Sequence, residues 1–176
     1  KIWAHKLGED SRKLVPRLQA EADVAFAARE WHSFLAAAHR LVALDAASSR
    51  LWLSMGFASL QLEEPKKARC FLEMALEKTQ EERPEILQLL AEAQKTTGDH
   101  AAALASVEEA QARTEKTRET RPFRHRLALA EAHAAYMLAR ADEASRAYRE
   151  AADLADDLCA RTEAYSSHLL ALHNTA

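Results

Sequence analysis

Small and large apolar residues recur along this chain at spacings of four and three. Ala68, Leu72 and Ala75 read small, large, small, and those spacings place all three on one face of a helix. Ala103, Val107 and Ala110 repeat the pattern, as do Ala144, Tyr148 and Ala151. Phe34, Ala38 and Leu41 keep the spacing with the sizes inverted. The four sets begin 34, 35 and 41 residues apart, which predicts one structural unit recurring about four times. A turn signal precedes each set: Arg29-Glu30-Trp31, Glu63-Glu64-Pro65, Gly98-Asp99-His100 and Arg140-Ala141-Asp142. Gly98 suits a helix C-terminus, Asp99 a helix cap and Pro65 the first turn of a helix.

Upstream of each turn a first helix carries its own echo. Trp52, Met55, Gly56 and Ser59 set a spacing that Leu87, Leu90, Ala91 and Gln94 follow, while Ala128, Glu131, Ala132 and Ala135 keep only the small residue. The pattern therefore predicts hairpins of two antiparallel helices. Gly56 and Ala68 are small where the two helices approach, and Trp52 and Leu72 fill the space beside them. The extra residues of the third unit, Glu115 to Pro122, predict a lengthened second helix.

Composition narrows the picture. The chain has 176 residues, 48% apolar and 29% charged, with only 3 Gly and 4 Pro. That is enough chain for a real core and too few turn residues for hairpins of strand or Gly-rich phosphate loops. Abundant Ala favours helix. A net charge of −3 does not call for nucleic acid, since the basic stretch from Arg113 to Arg126 is interrupted by Glu115 and Glu119. No apolar run approaches the ~20 residues of a membrane span. The two cysteines, Cys70 and Cys159, have no pairing motif and point to a reducing, cytoplasmic compartment.

The two signatures together resemble the tetratricopeptide repeat, a helix–turn–helix unit of about 34 residues marked Trp-x2-Leu-Gly-x2-Tyr…Ala-x3-Phe…Pro. Residues 49–82 match best, although Ser59 stands where an aromatic is usual and Ala46 where the closing Pro of the first unit is usual. The resemblance implies an all-α fold, a right-handed superhelical α-solenoid of antiparallel hairpins. Residues 1–14 are expected as a leading helix or linker. The array covers residues 15–158, with repeats near 15–48, 49–82, 84–124 and 125–158. Residues 159–176 are expected as a capping helix or the start of a further repeat.

Chemistry is sparse. His32 and His39 lack a third ligand at metal spacing, and His168 and His173 miss the i, i+4 register. Cys70, beside packing positions, is expected to be a buried, inert thiol. No catalytic motif, cofactor site or metal site is expected. What remains is a surface. The resemblance implies that first helices line a concave face that holds a peptide or helix. Positions on those helices not used for packing are then the candidate contacts: Asp23 and Phe26; Arg50, Leu53, Phe57, Leu60 and Gln61; Gln88, Glu92 and Lys95; Arg126, Leu129, His133, Tyr136 and Met137. Phe26, Leu60, Lys95 and Tyr136 fall at equivalent places. These residues either form an open groove or are covered by a terminal helix. Gln19 and Asp23 argue against the chaperone-docking subtype, because Asp23 would repel a C-terminal carboxylate.

The function expected is a non-enzymatic interaction module, an adaptor or scaffold for a protein or peptide partner, without nucleic acid or membrane. An alternative is the repeat arm of a larger enzyme. The stretch Tyr165 to His173 resembles the segment that joins repeats to the catalytic domain in bacterial relatives of O-linked GlcNAc transferases, which would make the arm a recruiter of acceptor proteins. A third possibility is a homo-oligomer formed through the terminal helices.

Overall fold

The computed structural model describes residues 2–79, 83–155 and 167, with residues 2–13 described by backbone alone. Among them are eight α-helices and no strand: α1 Ile2–Ala27, α2 Trp31–Ala43, α3 Ser49–Gln61, α4 Pro65–Lys78, α5 Pro84–Thr96, α6 His100–Ala112, α7 Arg121–Met137 and α8 Ala141–Leu154. They fall into two units, Lys1–Thr79 and Gln80–Ala176. In the first, α1 pairs with α2 and α3 with α4, and α2 packs on α3. In the second, α5 pairs with α6 and α7 with α8, and α6 and α5 pack on α7. The predicted hairpins are thus the observed ones. α1 runs unbroken through Pro16, so the leading segment and the first helix of the first repeat are one element.

Each hairpin turns in the same way. Arg29, Glu63, Gly98 and Ala139 all take positive φ, between 54° and 81° with Asp45 included. In each turn that residue's N–H bonds the carbonyl three residues back, and the next N–H bonds the carbonyl five back: Arg29 to Phe26 and Glu30 to Ala25, Glu63 to Leu60 and Glu64 to Ser59, Gly98 to Lys95 and Asp99 to Gln94, Ala139 to Tyr136 and Arg140 to Ala135. This double closure satisfies the last carbonyls of the first helix. The residue after the left-handed one then serves as N-cap of the second helix. Asp99 does so with its side chain, accepting from the Ala102 N–H at 3.2 Å. Ser48 caps α3 through the Leu51 N–H at 3.2 Å. Proline opens α4, α5 and α7, where a missing N–H costs nothing. A side chain with a Cβ is strained by roughly 1 kcal/mol in the left-handed region. Ala139→Gly should therefore raise stability by about that amount and Gly98→Ala lower it similarly, read as opposite shifts of the urea midpoint.

The core follows the small–large–small pattern. Ala68, Leu72 and Ala75, Ala103, Val107 and Ala110, and Phe34, Ala38 and Leu41 are each at most 2% exposed; Ala144 and Ala151 are fully buried and Tyr148 half-buried. At Gly56 a Cβ would stand 2.5 Å from Leu72 Cγ and 2.7 Å from its Cδ2, so the glycine is required by the approach of α3 to α4. Trp52 stacks on Phe71 at 5.8 Å between ring centroids, and Phe71 also meets His39 of the preceding repeat at 5.8 Å. Phe71, braced by Trp52, therefore joins neighbouring repeats. Open hairpin ends are tied by side chains: Ser49 Oγ donates to the Ala75 carbonyl at 2.9 Å, Arg121 donates to those of Asp153 and Leu154, and His125 Nδ1 donates to that of Ala151 at 2.8 Å.

Two expectations are corrected. α6 ends at Ala112 and is no longer than α2. The extra residues of the third unit form instead the connection from Arg113 to Thr120 and a longer α7. There Thr114, Thr117 and Thr120 hydroxyls bond nearby main-chain groups, a use of hydroxyls that competes with helix. Cys70 is exposed, not buried, because it lies two residues from Ala68, on the side of α4 turned from Ala68, Leu72 and Ala75.

Candidate docking faces on the first helices

In the first unit, α1 and α3 wall a cleft of about 390 Å³. Gln19, Asp23 and Phe26 stand on one side and Arg50, Leu51 and Ser54 on the other, with Phe34 and Leu41 of α2 among its lining. Phe26 joins the cleft to an aromatic cluster. Its ring meets Trp31 edge-on at 5.5 Å, Phe34 at 5.1 Å and Phe57 at 6.0 Å, and Trp31 meets Phe57 at 5.7 Å. Phe34 is core, whereas Phe26, Trp31 and Phe57 are half-buried. Asp23, Arg50 and Gln61 are exposed, and Leu53 and Leu60 half-buried.

In the second unit Glu92, Arg126, His133 and Met137 are exposed and Gln88, Lys95, Leu129 and Tyr136 half-buried. Lys95 pairs with Glu92 at 2.7 Å. His133 faces His100 of α6 with ring centroids 6.3 Å apart. The part of the His133 ring turned from water holds its pKa below the ordinary imidazole value, the Lys95 ammonium and then His100 push it the same way, and Glu92 opposes them. Leu129 packs against Ala128, Ala151 and Ala152, and Tyr136 against Ala135, Ala144 and Tyr148, so these two also serve the fold. Burial, and Tyr136 after it, raises the Tyr148 pKa. Arg126 lies over the Phe123 ring at 5.4 Å.

No candidate residue is buried, so none is simply core. The structure brings together Phe26 with Phe57, and Glu92 with Lys95 and His133. Trp31 and His100, which stand at turns in the sequence and are not among the candidate contacts, belong to these two groups. Their signal was available: both follow the N-cap of a second helix, at the same place in their repeats. His32 and His39 are exposed, and no group of three His, Cys, Asp or Glu among the described residues could hold a metal ion. No helix of the described residues is long and apolar enough to cross a membrane. His168 and His173, the segment around Tyr165 apart from Ser167, and any terminal cover from residues 159–176 lie outside the described residues.

No family model matches the chain, and no curated protein matches it. Solved structures do. A chain of the APC/C hetero-tetramer Cut9-Hcn1 superposes at TM-score 0.67 with 19% identity, over 94% of this chain but 34% of its own length. The MamA protein also gives 0.67, with 15% identity over 92% of this chain and 91% of its own. A TPR repeats protein from Bacteroides fragilis gives 0.55, with 15% identity over 92% and 71%. Helix hairpins that recur at the spacing read from the sequence, turn by one motif and superpose on these structures establish an all-α, tetratricopeptide-like repeat fold for this chain.

Proposed function

We propose that the chain is a protein-interaction module, an adaptor or scaffold without catalysis of its own, that docks a peptide or helix on its first-helix faces. The observation that carries this reading is the cleft between α1 and α3 of the first unit. It has an apolar floor, a charged residue on each wall and half-open aromatic rings at one end. Peptide grooves combine these features, with aromatic side chains as anchors. The chain that shares the fold in the APC/C hetero-tetramer Cut9-Hcn1 is part of a multi-chain assembly, and that is in keeping with a partner-holding role here.

Panning a displayed library of random peptides against the chain tests the reading. Enriched peptides should carry an aromatic or aliphatic anchor. They should bind the Arg50→Glu/Phe57→Glu variant at least about tenfold more weakly, while its far-ultraviolet circular dichroism stays that of the parent. Peptides that bind both proteins equally would remove the α1–α3 cleft as the docking surface.

A further inference from the structure

The junction between the first and second repeats has a counterpart between the third and fourth. Phe26, Trp31 and Phe57 occupy the positions that Lys95, His100 and His133 occupy there, each 69 or 76 residues later. The Trp31–Phe57 ring pair at 5.7 Å becomes the His100–His133 pair at 6.3 Å. One junction is thus aromatic and apolar, and the other holds three side chains that can carry positive charge. Its own compensation is small. The groups acting on His133 are Lys95 and Glu92 of α5 and His100 of α6, and α8, which also packs on α7, adds none among the described residues. Glu92, the single carboxylate of that set, is paired with Lys95 at 2.7 Å. The Asp99 carboxylate is turned to the Ala102 N–H. His100 Nδ1 is buried with no hydrogen-bond partner.

We infer that the α5–α6–α7 junction receives an acidic side chain of the docked peptide, with Lys95 as standing cation and His133, whose ring faces His100, as the cation recruited by protonation. The inference rests on the docking reading above and adds the chemistry of the partner. A carboxylate at this junction stabilises the imidazolium form, which the isolated protein disfavours at His133. Linkage then requires the acidic ligand to bind more tightly as pH falls through the imidazole range.

Hexaglutamate, hexaalanine and inorganic phosphate serve as probes, with the ring-proton titration of His133 followed by NMR. Hexaglutamate should shift the His133 titration to higher pH and bind several-fold more tightly at about pH 5.5 than at about pH 7.5. His133→Gln, at an exposed position, should abolish most of that pH dependence, and Lys95→Gln should weaken binding at both pH values. An unchanged His133 titration overturns the inference, as does equal binding of hexaalanine. Phosphate competing as well as hexaglutamate would show a general anion site and overturn the commitment to an acidic side chain. Panned peptides that respond to the Phe57 variant while hexaglutamate fails would leave the docking reading standing and remove this one alone. Hexaglutamate acting as expected beside panned peptides that ignore the Phe57 variant would do the reverse.

Discussion

Gly56→Ala will destabilise the chain, although it places a better helix former in the middle of a helix. Alanine gains roughly 0.5–1 kcal/mol over glycine from propensity. The new methyl, however, would lie 2.5 Å from Leu72 Cγ. That atom is the branch point of a side chain with no exposed surface, so Leu72 has nowhere to swing and α3 and α4 must part. Overpacking of this kind costs about 1–3 kcal/mol, leaving a net loss of roughly 1–2 kcal/mol. Leu72→Ala will cost more, about 3 kcal/mol, through lost burial and the cavity left behind. The double variant decides between a specific contact and general sensitivity. The methyl added at position 56 would enter space vacated by Leu72, so the pair should be more stable than the sum of the singles by about 1 kcal/mol or more. Urea unfolding of the four proteins measures this. Additive losses would mean that Gly56 and Leu72 do not share one seat.

That contact is legible in the amino-acid sequence because it repeats. A small residue at the closest approach and a large one beside it leave a mark at fixed spacing, and Ala68, Ala103 and Ala144 carry it in three of the four hairpins, while the first keeps the spacing with Phe34 in that place. What does not repeat is not legible. The connection after Ala112 is rich in Glu, Lys and Arg, which favour helix, yet three threonine hydroxyls and Pro122 decide its course. Cys70 sits between packing positions, and only the helix phase separates exposed from buried there. For the candidate site, elimination of packing positions finds residues that are exposed or half-buried, with Leu129 and Tyr136 among those that also pack against the core. It passes over Trp31 and His100, since a residue just inside a second helix reads as part of a turn. The aromatic cluster and its basic counterpart depend on contacts between consecutive repeats, which no pattern within one repeat displays.

The fourth repeat breaks its own signature at Glu131, and replacing that residue should stabilise the protein. Met55 and Leu90 hold the equivalent seat in the second and third repeats, at 0% and 6% exposure. Glu131 is half-buried there, with its carboxylate accepting from Gln111 Nε2 at 2.7 Å. Burial raises its pKa above the ordinary 4.5; the Gln111 hydrogen bond works against the shift, and the nearby carboxylates of Glu150 and Glu108 add to it. The folded state therefore binds a proton at Glu131 more readily than the unfolded chain does. Its contribution is fully present below about pH 4.5 and is lost as pH rises through the higher folded value. At neutral pH the carboxylate is ionised in a seat built for an apolar side chain. Glu131→Met should then add about 1–2 kcal/mol at pH 7. Gln111, on the wall of an open cleft of about 370 Å³, can turn its freed amide to water. Glu131→Gln keeps an acceptor for Gln111 and removes only the charge, so it should give roughly 1 kcal/mol at pH 7 and almost nothing at pH 4. His133 works in the opposite sense and a different window: its folded pKa lies below 6.5, so stability falls as pH drops from 6.5 through that value. Urea midpoints of the parent and both variants near pH 4 and pH 7 separate the two. A Gln variant whose advantage is the same at both pH values would show that the charge is not what the seat resists.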